Sequence, residues 1–82
     1  MDESDMKELV EFIVKSLVDY PDDVRVAAVP ERDATVLELR VATADMGRVI
    51  GKSGRVINAI RTLVQVQAVK LGQNIALDII ED

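Results

Sequence analysis

The residues best placed to do chemistry in this chain are Gly51-Lys52-Ser53-Gly54, set between Arg48 and Arg55. The outer glycines have no Cβ, so the backbone there can take angles closed to other residues and another molecule can approach it closely. The residues that follow read as a helix, whose first N–H groups lack intrahelical acceptors and whose dipole favours anions at that end. Lys52 and Arg55 put full positive charges beside those donors, and Ser53 adds a hydroxyl. This combination suits a phosphate backbone, with Arg48 as a further cation.

Two other phosphate motifs fail on spacing. A P-loop needs four residues between its first glycine and the Gly-Lys-Ser, but Gly47 and Gly51 enclose only Arg48, Val49 and Ile50, and Met46 stands where the glycine belongs. The dinucleotide fingerprint G-x-G-x-x-G fails because position 49 is Val. The apolar residues ahead of Gly51 suit a helix lying on a core, not a loop around a triphosphate. The chain has no Cys and no His, so disulfides, thiolate metal sites and the commonest general base are excluded. No metal, no cofactor and no catalytic residue are expected.

Charge is distributed unevenly. The net value of −5 hides a segment from Met46 to Leu77 with five basic residues (Arg48, Lys52, Arg55, Arg61, Lys70) and no acidic one. The remainder holds five basic and fifteen acidic residues. Such asymmetry implies a local anion-binding face on an otherwise repulsive body, although a charge such as Lys70 equally suits solvated surface. The acidic amino terminus does not read as a signal peptide, and no apolar run approaches the roughly 20 residues of a membrane span. A soluble cytoplasmic protein is the expectation.

The elements around the glycine loop follow from periodicity. At 82 residues, 49% of them hydrophobic, the chain is expected to form one domain over 1–82 with an aliphatic core. Ser4 to Tyr20 predicts a helix, with Asp5 and Glu8 as a capping pair and Pro21 as the stop. Its apolar stripe is Met6, Leu9, Val10, Ile13, Leu17 and Val18, widened by Phe12 and Val14. Val24 to Val29 reads as a strand, Pro30-Glu31-Arg32-Asp33 as a turn, and Thr35 to Ala42 as a second strand, in which Leu37, Leu39 and Val41 alternate with Glu38 and Arg40. A short helix to Ile50 has Asp45, or alternatively Thr43, as its N-cap. A long helix follows from Arg55 to Leu71, stopped by Gly72, and Ile75 to Ile80 alternate as a last strand. The order is α-β-β-α-α-β.

With the loop and its neighbours in place, Val49-Ile50-Gly51-Lys52-Ser53-Gly54-Arg55-Val56-Ile57-Asn58-Ala59-Ile60 resembles the I-G-x-x-G-x-x-I-x-x-I signature of KH domains. The whole chain is similar to the small bacterial single-KH proteins of the KhpA family. The resemblance implies an α+β fold of type II, the prokaryotic KH arrangement, with a three-stranded mixed sheet and three helices on one face. It implies a non-catalytic module that clamps single-stranded RNA with its GXXG loop, Gly51, Lys52, Ser53 and Gly54, flanked by Arg48 and Arg55. Val49, Ile50, Ile57 and Val41 would wall the groove for bases, though Ile50 and Ile57 suit a core better than a groove. It further implies RNA-chaperone or post-transcriptional roles, a link to cell shape and cell wall biogenesis, and a larger KH-containing RNA-binding partner. With no aromatic between Met46 and Leu77, base stacking is not the expected source of affinity.

The long helix carries more apolar surface than one core needs. Ile57, Ile60, Val64, Ala68 and Leu71 share one face, while Val56, Ala59, Leu63 and Val66 form a second stripe about 100° away. Packing of Val56 and Ala59 on the first helix is one outlet for this surplus. The other is a homodimer with Leu63 near its axis, or a heterodimer through the same surface, ringed by Arg61, Thr62 and Gln65. An assembly module of this kind is the alternative to RNA binding as the chain's main role.

Overall fold

The computed structural model describes residues 3–81, with side chains from residue 5 onward. Its elements are α1 (Glu3–Lys15), β1 (Arg25–Pro30), β2 (Thr35–Arg40), α2 (Met46–Ile50), α3 (Arg55–Leu71) and β3 (Ile75–Ile79), in the expected order. Short 3-10 turns at Pro21–Asp23, Thr43–Asp45 and Lys52–Gly54 lead into β1, α2 and α3.

Alternation in the strands decides which sheet face is covered. β1 pairs antiparallel with β2 from Arg25↔Arg40 to Pro30↔Thr35, and β2 pairs parallel with β3 from Thr35↔Ile75 to Leu39↔Ile79. The sheet is therefore mixed, with β2 in the centre. Val26, Leu37, Leu39, Ile75 and Leu77 are buried on one face, and β1, the less regular pattern in sequence, keeps Arg25 and Ala27 exposed. That face meets Met6, Val10 and Val14 of α1, Val49 of α2, and Ile57, Ile60, Val64 and Ala68 of α3 in a single cluster. The fold is the type II KH arrangement, with its helices gathered on one side of a three-stranded mixed sheet. Pro30, which has no N–H to donate, sits at the end of an edge strand where none is missed.

The first helix departs from its sequence reading at both ends. Asp5 lies inside α1, not at its cap, because the helix already includes Glu3. At the other end α1 stops at Lys15, well before Tyr20. The Ser16 hydroxyl donates back to the Phe12 carbonyl at 2.8 Å, and the Leu17 N–H tightens onto Val14 O at 2.9 Å. Val14 is fully buried, whereas Phe12 is 70% exposed and Leu17 also reaches the surface, so the core stripe is Met6, Val10 and Val14 with Ile13 beside it.

Asp45 explains why the chain leaves the helix there. Its carboxylate accepts the Asp19 N–H at Oδ1 and the Tyr20 N–H at Oδ2, both at 3.0 Å, from a residue only 1% exposed. The expected N-cap bond is absent, since Asp45 makes no side-chain cap to α2 and spends both oxygens on the segment after α1. Two backbone donors converge on one carboxylate, which satisfies a buried charge far better than one hydrogen bond would. Arg48 reinforces the tie from α2, its Nη2 lying 3.2 Å from Asp19 Oδ2, but both side chains are largely exposed and this pair adds little.

Asp45→Ala strands two backbone N–H groups and should lower unfolding stability by about 3 kcal/mol, on the scale of hydrogen bonds to a charged acceptor. Urea denaturation checks this. A loss under about 1 kcal/mol would show that water replaces the carboxylate without cost.

Candidate nucleic-acid interface

The glycine loop is built by backbone geometry. α2 ends at Gly51 with φ 75° and ψ 173°, and α3 begins after Gly54 at φ 74° and ψ 16°. Ser53 between them also has a positive φ, 57°, unusual for a residue with a side chain. Strain of this kind persists only where the surroundings impose it, and it gathers at functional sites. At Gly51 the constraint is contact with Val56. A Cβ on Gly51 would come 2.5 Å from Val56 Cγ2 and 3.0 Å from Val56 N, so no other residue fits beneath the loop. The turn is closed by Gly51 N–H to Gly47 O at 2.9 Å and Gly54 N–H to Gly51 O at 3.2 Å. Neither bond uses the N–H of Lys52 or Ser53.

Lys52, Ser53 and Arg55 are exposed, and among the described residues neither Lys52 nor Arg55 has an ion-pair partner. Arg48 is exposed as well, but its guanidinium is engaged by Asp19. Ile50 and Val41 are half-buried beside the core and keep surface to offer. Val49 and Ile57 do not: at 0% and 4% exposure their side chains belong to the core, so neither can wall a groove. In the short α2 it is Val49 that turns into the core, while Ile50, about 100° round the helix, packs at its edge.

The structure adds two residues that the sequence reading did not assign. Asn58 lies one turn below the loop, its Nδ2 3.4 Å from where a Gly54 Cβ would stand. Arg61 follows one turn later, donating from Nη1 to Asn58 Oδ1 at 3.3 Å and from Nε to the Leu77 carbonyl of edge strand β3 at 3.1 Å. Gly54, Asn58 and Arg61 are spaced i, i+4, i+7, the spacing of one helix face, and this was the signal available in sequence. Arg61 had been counted only as charge and as the rim of an apolar stripe.

The second stripe of α3 splits in two. Val56 is half-buried, packed on the core and under Gly51, and offers less surface than the rest of the stripe. Ala59, Leu63 and Val66 are exposed, the latter two at 53% each. Arg61 and Leu63 point about 160° apart at roughly 100° per residue, so the polar strip and the apolar stripe occupy different sides of one helix. No group of His, Cys, Asp and Glu among the described residues is arranged to hold a metal, and no described helix is long and apolar enough to cross a membrane.

Comparisons with known proteins agree on one relationship. The RNA-binding protein KhpA of Clostridium perfringens is 52% identical over 75 residues, spanning 92% of this chain and all of that one. The RNA-binding protein KhpA of Aquifex aeolicus is 42% identical over 78 residues, covering 95% of this chain and 99% of its own. Among solved structures, a variant of Aquifex aeolicus Era bound to GDP and aluminium fluoride superposes with a TM-score of 0.63 over 90% of this chain. It shares 20% sequence identity, and the match takes in 29% of that longer protein, so this likeness concerns the fold. The profile described as the KhpA/KhpB KH domain matches residues 7–79, glycine loop included. By that match and by its identity to full-length relatives, this chain belongs to the KhpA/KhpB family of KH domains.

Proposed function

We propose that this chain is a non-catalytic binder of single-stranded RNA, acting as an RNA chaperone or post-transcriptional regulator, with the GXXG loop as its backbone clamp. The observation that carries the reading is the exposed Lys52-Ser53 tip between two positive-φ glycines, with backbone donors and cations on one side and no acidic residue in the surrounding segment. Contacts are assigned to Gly51, Lys52, Ser53, Gly54 and Arg55, with Ile50 and Val41 offering apolar surface to bases. Arg48 takes part only by leaving Asp19. The names of the relatives, RNA-binding proteins throughout those cited, support the same class of ligand.

A second reading, assembly through α3, is favoured by the exposed Ala59, Leu63 and Val66. It is compatible with the first, because Leu63 at the centre of the stripe lies about 12 Å along the helix from Arg55, at 1.5 Å per residue. The occupant proposed is a second copy of this chain around a two-fold axis near Leu63, and a KH domain of a larger RNA-binding partner would use the same surface.

Replacing Lys52 and Ser53 together by Asp should leave the circular dichroism spectrum native. It should weaken single-stranded RNA binding roughly tenfold or more, since each charge-assisted contact is worth about 1.5–3 kcal/mol. Native spectra with unchanged affinity would remove the clamp assignment. With Lys52 and Arg55 as the two free cations, log K should fall with log salt at a slope near −1.4, about −0.7 per neutralised phosphate. A flat salt titration would show that RNA is held elsewhere. For assembly, Leu63→Arg should give a soluble monomer by sedimentation from a parent that is dimeric at micromolar concentration, because an unpaired charge would be buried at the contact. A monomeric parent would dismiss the homodimer.

A further inference from the structure

Arg61 is held more tightly than a surface cation needs to be. It is half-buried, and two of its three nitrogens donate to fixed protein acceptors, Nε to the Leu77 carbonyl and Nη1 to Asn58 Oδ1. Nη2 donates to no described residue. Two hydrogen bonds thereby restrain the planar guanidinium; Nη1 keeps a second N–H beyond the one given to Asn58, and with Nη2 it can supply a pair of parallel donors. Among the described residues no carboxylate pairs with it, and α3 itself carries no acidic residue. The group sits on the same face as Gly54, about 10 Å along the axis at 1.5 Å per residue. A strand clamped at the loop and running along α3 toward β3 would bring a base to it.

The geometry points to Arg61 as a specificity-determining residue: its free end selects a base that shows two adjacent acceptors on one edge. This inference rests on the single-stranded RNA reading and deepens it. Guanine offers such a pair at O6 and N7, the commonest partner of an arginine fork. Unpaired cytosine offers another at O2 and N3. Adenine and uracil offer none, because along every edge their acceptors alternate with donors or stand alone. The expected preference at this one position is therefore guanine or cytosine over adenine and uracil. Asn58 is a positioning residue here, because it orients the fork and its amide stays under the loop.

The test uses the full chain with short uridine oligonucleotides carrying one guanosine or one cytidine at successive positions, read by fluorescence anisotropy. The parent should prefer one register position by about tenfold, within the 1–3 kcal/mol that a bidentate pair discriminates. Arg61→Lys keeps the charge and loses the fork, and should reduce that preference to about twofold or less, a larger change than any in affinity for plain oligouridine. In the parent protein, 7-deazaguanosine and 3-deazacytidine should each abolish the preference they replace, which identifies the base and cannot arise from a misfolded variant. Absence of a guanosine or cytidine preference in the parent, or its survival in Arg61→Lys, would overturn the assignment. So would a parallel loss of oligouridine affinity, since that marks a structural role. The Lys52 and Ser53 variant separates this outcome from failure of the clamp, because it should weaken all oligonucleotides alike.

Discussion

One buried carboxylate holds the architecture to its site. Asp45 is almost wholly removed from water, and its carboxylate receives two backbone N–H groups from the segment that follows α1. Asp45 also immediately precedes α2, so the same residue fixes where the first helix lets go and where the loop-bearing helix starts. Removing the two donors would leave an unpaired buried charge, and removing the acceptor would leave two orphaned donors. The intervening hairpin hangs between these points, and its strands bring Val26, Leu37 and Leu39 into the same core as Val49 and Ile57. The position of the glycine loop thus depends on a contact that spans much of the sequence and none of the loop itself.

α3 distributes three tasks around its circumference. Ile57, Ile60, Val64 and Ala68 close the core; Asn58 and Arg61 run toward the edge of β3; Leu63 and Val66 face outward with no cover in the monomer. A helix that served only the core would have no need of the last two. Its end is fixed in the ordinary way, by Gly72 at φ 67° with the Gln73 N–H returning to Ala68 O at 2.9 Å.

Most of the fold was legible because its rules are local. Alternation at Leu37, Leu39 and Val41 marked β2, Gly72 marked the end of α3, and I-G-x-x-G marked the turn. What escaped was decided at a distance. Pro21 correctly forbids helix at Tyr20, but the chain had already left α1 because Asp45, some 25 residues on, competes for its backbone donors. The same Asp45 looked like a local cap for α2, since nothing in the sequence says which way a carboxylate will turn. Val49 and Phe12 show the other limit. In a helix of one or two turns, or on the flank of a broad apolar arc, periodicity does not separate buried from exposed positions, and Phe12 ends in solvent. Arg61 was visible as a charge, but its partner is a carbonyl of β3, which no spacing along α3 reveals.

The close approach of Gly51 to Val56 bears on kinetics as well as shape. With no room for even a methyl group beneath it, and with Gly47, Gly51 and Gly54 joined by turn bonds, the loop is closed by contacts of its own. On the reading proposed above, a loop closed by its own contacts leaves little of its backbone to order on binding, so encounter and complex formation would be nearly one event, limited by orientation and by the local field. Differences in affinity among ligands would then reside in how long each stays, because all of them arrive at the same finished surface.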